Sequence, residues 1–121
     1  MSALPIRPSA SPDDHGAPTD DGLTITVWHR HHLLEVRLDG ELDVATAARF
    51  SEALGWVVRR RGDSPVVVDL TRVRFIDLAG HRALVAASAR PDGTRDPRIL
   101  WVLGPAVTRL ERVLAEIART G

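Results

Sequence analysis

The chain reads as a single α/β domain in which a mixed β-sheet carries helices packed against it. Three observations lead there. Short β-branched runs alternate with amphipathic stretches of helical period, glycine and proline punctuate the joins, and 121 residues suffice for one domain but not two. The expected order of elements is β-β-α-β-α-β-α.

Residues Met1 to about Gly22 are rich in Pro, Ser, Asp and Ala, with no helix or strand period, and are expected to be a disordered tail (1–22) ahead of an ordered domain (23–121). Leu23-Thr24-Ile25-Thr26-Val27 alternates apolar and polar residues, as a half-buried strand does. A second strand follows in Leu34–Leu38, after which Asp39-Gly40 bends the chain, Leu42 returns to the core and Asp43 is placed to cap a helix. From Val44 to about Arg60, Ala47, Phe50, Leu54 and Val57 recur at helical spacing. Val66–Leu70 is a nearly continuous apolar run, expected for an interior strand covered on both faces, and Val73–Ile76 leads from it to Asp77. Asp77 has the chemistry of an N-cap for a helix running to about Ala89. Ile99–Leu103 reads as another buried strand. A last helix places Val107, Leu110, Leu114 and Ile117 on one face, with Val113 adjoining.

Composition narrows the function. There is no cysteine, which excludes disulfides, thiolate metal sites and a cysteine nucleophile. All sixteen basic residues are arginines, balanced by sixteen acids, so no net field favours nucleic acid or anionic lipid. No apolar stretch is long enough to insert in a membrane, and the N-terminal residues lack a signal-peptide pattern, so the expected location is cytoplasmic.

For catalysis the sequence offers no nucleophile elbow, no phosphate-cradling glycine loop and no set of acid, base and nucleophile; an enzyme is not expected, nor a cofactor. Trp28-His29-Arg30-His31-His32 would put His29 and His31 on one face of a strand, but no third ligand is available, and a solvated hairpin turn accounts for the run better than a metal site. Arg59-Arg60-Arg61 suits a helix C-terminus, and Arg112 with Glu116 suits an i,i+4 surface pair.

Several stretches, in order over roughly Leu23 to Ala118, resemble the STAS family, whose best-known members are bacterial anti-sigma factor antagonists. They are Leu38-Asp39-Gly40-Glu41-Leu42-Asp43, Val67-Val68-Asp69-Leu70-Thr71, Phe75-Ile76-Asp77-x-x-Gly80, and Val102-Leu103-Gly104-Pro105 before an amphipathic helix. The resemblance implies a non-catalytic, protein-binding regulator of transcription. It would bind an anti-sigma factor of histidine-kinase-like fold in a partner-switching pathway, through Asp77, Leu78, Ala79, Gly80, His81 and Arg82.

In that family the two residues between Asp and Gly are commonly serines, the second being phosphorylated to release the partner. Here they are Leu78 and Ala79, so Ala79 occupies the phosphorylation position without a hydroxyl. His81 stands where the family is usually apolar, and it and Arg82 are expected on the exposed side of the first turn. The alternative implied by the same resemblance is a fixed STAS subunit of a larger assembly, a lipid-transport ABC system or a stress-sensing complex.

Overall fold

The computed structural model describes residues 4–6 and 22–120. Five strands form one mixed sheet in sequence order: β1 (Leu4–Ile6), β2 (Leu23–Arg30), β3 (Leu33–Leu42), β4 (Val66–Ile76) and β5 (Ile99–Val102). β1 pairs antiparallel with β2 and β2 antiparallel with β3, whereas β4 lies parallel to β3 and β5 parallel to β4. Parallel neighbours need crossovers. Helices α1 (Ala47–Arg60) and α2 (Leu78–Ser88) supply them, and α3 (Pro105–Thr120) closes the fold. From Leu23 onward the order is the expected β-β-α-β-α-β-α.

Alternation along the strands directs Leu23, Ile25, Val27, Val36, Leu38, Val66, Val68 and Leu70 into one core. Phe50, Leu54 and Val57 of α1, Ala83 and Leu84 of α2, and Val107 of α3 join the same cluster, so all three helices pack on one face. The expectation that β4 is covered on both faces is corrected. Its buried residues alternate with half-buried Val67 and Asp69, which point to the side without helices. That side is held by charge: Arg37 pairs with Glu35 at 3.4 Å and with Asp69 at 3.6 Å, and Arg74 with Asp39 at 3.0 Å.

Burial pushes the Asp69 carboxyl up, but the hydroxyl and backbone N–H of Thr71, at 2.6 and 2.9 Å, together with Arg37 and Arg72, outweigh it and hold it below the usual carboxylate range. A lowered folded-state pKa contributes stability at neutral pH that disappears as pH falls through that value. Asp69→Asn is therefore expected to be less stable than the parent at pH 7, with the gap in urea midpoint closing below about pH 4. A gap that stays constant from pH 7 to about pH 3 would contradict this assignment.

Several local expectations change. Leu4–Ile6, placed in a disordered tail, pairs with β2, Leu4 opposite His29 and Ile6 opposite Val27. Three residues around Pro5 carry no readable period, and an edge strand tolerates the N–H that proline lacks. Residues 7–21 lie outside the described residues. Asp39-Gly40 does not bend the chain out of the sheet: β3 continues to Leu42, with register shifts against β4 on both sides of the pair. Gly40 sits at φ +129°, and a Cβ there would lie 1.9 Å from the Gly22 carbonyl oxygen, so only glycine lets β3 run this close to the start of β2. β5 is an edge strand in which only Ile99 is buried. On α3, Val107 is buried while Val113 and Ile117 remain exposed. Glu116 pairs with Arg119 rather than Arg112.

Candidate functional site

Strand β4 ends at Ile76 and the chain turns directly into α2, with Asp77 as its N-cap. The Asp77 backbone is extended (φ −109°, ψ −173°), and its Oδ1 accepts the Gly80 N–H at 2.8 Å. This satisfies one of the donors that a helix start leaves unpaired. The other carboxylate oxygen reaches across the sheet top and accepts the Val44 N–H at 3.2 Å. The Asp77 N–H in turn donates to the Leu42 carbonyl at 3.3 Å. One side chain thus caps α2 and ties it to the turn after β3.

That turn has its own lock. Asp43 Oδ1 accepts the N–H groups of Ala45 and Thr46 at 3.0 and 3.2 Å, while the buried Thr46 hydroxyl accepts the Asp43 N–H and donates to the Glu41 carbonyl, both at 2.9 Å. Asp43 therefore caps as expected, but of a turn; α1 itself begins at Ala47, three residues later than the spacing suggests.

Gly80 explains the closeness of the two turns. A Cβ on it would lie 2.1 Å from the Leu42 carbonyl oxygen and 2.8 Å from its carbon, so α2 rests backbone to backbone on the end of β3. Asp77 and Gly80 both serve geometry, and between them they present Leu78, half exposed, and Ala79, half buried, on the first helical turn. Asp77→Ala removes the acceptor for two backbone donors and is expected to cost about 1–2 kcal/mol, lowering Tm by roughly 5–10 °C. A Tm within about 2 °C of the parent would show that water replaces the cap at no cost.

The six residues nominated by the sequence lie in one continuous stretch at this end of the sheet, and two placements refine the expectation. Arg82 is exposed as expected. His81 is not: its ring is turned against α3, with Nε2 3.3 Å from Glu111 Oε2. Sequence reasoning missed Glu111 and also Val44, which is 77% exposed and adjoins Asp77 through its N–H. The signal for Val44 is an aliphatic residue directly after a capping aspartate, which helical spacing assigns to the start of α1.

In the His29–His32 region, β2 and β3 form a two-residue hairpin with His31 and His32 at its tip, His31 at φ +48°. Among the described residues, no three His, Asp or Glu side chains come together as metal ligands would, and no helix is long and apolar enough to cross a membrane.

The family profile described as "Mlab, STAS domain" matches residues 25–115. The chain belongs to the STAS domain family. Its mixed sheet and three helices, in the order β-β-α-β-α-β-α from Leu23 onward, are those of the STAS fold. The anti-sigma-F factor antagonist RsfB of Mycobacterium tuberculosis, in strains CDC 1551 / Oshkosh and ATCC 25618 / H37Rv, is 36% identical over 72 residues, covering 58% of this chain. The chain matches 57% of the length of these curated relatives. A crystal structure of an anti-sigma factor antagonist from Mycobacterium paratuberculosis superposes with a TM-score of 0.60 at 27% identity, covering 86% of each chain.

Proposed function

We propose that this STAS domain is a non-catalytic regulator that binds an anti-sigma factor of histidine-kinase-like fold, docking it on the turn and first helical turn from Asp77 to Arg82. The observation that carries the reading is the construction at Asp77 and Gly80. Both residues are fully employed in holding α2 against β3, and the side chains they present, Leu78 and Ala79, have no internal task of comparable weight. The similarity to anti-sigma factor antagonists supports the choice of partner.

Because neither Leu78 nor Ala79 bears a hydroxyl, the surface binds without the release that phosphorylation at this position would give. Affinity purification from the native cell, identified by mass spectrometry, tests this. The expected result is an anti-sigma factor with a kinase-like fold, lost with Ala79→Glu or Asp77→Lys. Failure to recover one, or recovery indifferent to both substitutions, overturns the reading.

The same missing hydroxyl favours a second reading, a fixed subunit of a larger assembly such as a lipid-transport ABC system or a stress-sensing complex, where a release step has no use. Co-purification with transporter or complex subunits in constant ratio separates it from the first.

A further inference from the structure

β5 closes the sheet on the side away from β1, and among the described residues no strand pairs with its outer edge. An edge of this kind presents unpaired N–H and C=O groups, and soluble proteins usually guard it with charge, proline or a bulge. Ile99-Leu100-Trp101-Val102 is guarded only by its shortness, four residues with Pro97-Arg98 before and Pro105 after; within the run there is no charge, proline or bulge, and it pairs with β4 without a register shift. Leu100 and Val102 are 51% and 43% exposed, on the face without helices. On the other face, half-buried Trp101 borders a cavity of about 320 Å³ that Leu84, Val85 and Leu103 line together with the charged Arg95 and Glu111.

We propose that this edge joins two copies of the chain, β5 lying antiparallel to β5 of the second copy about a two-fold axis, so that the two sheets become one. A two-fold axis sets a strand against its own sequence, and the run Ile99-Leu100-Trp101-Val102-Leu103 is close to symmetric in chemistry about its centre. With Trp101 opposite its counterpart, Leu100 meets Val102 and Ile99 meets Leu103. Arg98 meets Gly104, so no charge faces its like. Zero formal net charge removes long-range repulsion between copies. An unrelated strand would satisfy the same backbone groups, but nothing about it would require the matched apolar pairs on either side of Trp101.

The contact is short, four strand residues from each copy with exposed Val85 and Leu103 beside them, and is smaller than a permanent dimer interface, so association is weak and concentration dependent. It leaves the Asp77 turn clear. β5 pairs with Val66–Asp69, and Asp77 lies eight residues further along the chain, roughly 25 Å at the rise of a strand. The inference therefore stands or falls separately from the docking surface.

Sedimentation velocity from about 5 μM to about 500 μM is expected to show a rise from monomer toward dimer. Leu100→Lys holds the chain monomeric, while Val113→Lys, at an equally exposed apolar position on α3, leaves the rise intact. Since the chain has no cysteine, Trp101→Cys supplies a second reading: mild oxidation is expected to link two copies, and Val113→Cys not to. A monomer across the whole range, self-association unaffected by Leu100→Lys, or equal crosslinking of the two cysteine variants overturns the proposal.

Discussion

Gly80→Ala is expected to destabilise the domain by about 3 kcal/mol or more and to lower Tm by roughly 10–20 °C. The added methyl would meet two backbone atoms of Leu42, at 2.1 and 2.8 Å, and neither can swing aside as a side-chain tip does. Relief requires α2 to lift from β3, and that movement also breaks the Asp77 bonds to Gly80 and Val44.

Gly55→Ala is the fitting comparison, because it changes the same atom in the interior of α1. There the new methyl meets only Arg59 Nη1, at 3.2 Å, the end of a flexible side chain. Alanine's better helix propensity then stabilises by about 0.5–1 kcal/mol. Opposite signs for two glycine-to-alanine changes in helices, read by thermal or urea melts, identify close approach as the cause. A Gly80→Ala melt within about 3 °C of the parent contradicts the packing described.

The same contrast shows why some features could be read in the sequence and others could not. Asp77 and the start of α2 at Leu78 were legible because capping is local chemistry, needing only an aspartate ahead of helical spacing. The core strands were legible because alternation reports burial on one face. Asp39-Gly40 misled for an equally local reason. Asp-Gly is a turn signal, and here the glycine's positive φ serves a bulged strand instead. β5 misled because an apolar run has the same composition whether it is buried or waits at an edge for a partner. The Gly80–Leu42 approach and the His81–Glu111 pair join residues 38 and 30 positions apart, and no window along the chain contains them. The turn from β4 into α2, with its capping aspartate and closely packed glycine, was therefore legible, while the backbone that Gly80 rests on and the orientation of His81 are tertiary facts.

Ala79→Glu is expected to weaken binding to the anti-sigma factor by about 10–100-fold while leaving Tm unchanged or slightly higher. Residue 79 is the second of α2, where unpaired N–H groups and the helix dipole favour a negative charge by up to about 1 kcal/mol, so folding does not suffer. The proposed partner meets the same charge on a contact surface that in the parent is apolar at Leu78 and Ala79, and burying it there without a counter-charge is costly. Arg82, exposed three residues on, is spaced to neutralise part of it, so Ala79→Glu with Arg82→Ala is expected to lose more affinity than either change alone. Ala79→Ser should bind as the parent does, since it adds one oxygen and no charge. It should also become a phosphate acceptor when the partner and ATP are present, and then release. Calorimetric titration of the five proteins (the parent, the two single changes, their combination and Ala79→Ser) separates the possibilities. Equal affinity for Ala79→Glu and the parent moves the docking surface away from α2. Loss with Ala79→Glu, together with ATP-dependent release of Ala79→Ser alone, attributes the parent's persistence on its partner to a single missing hydroxyl.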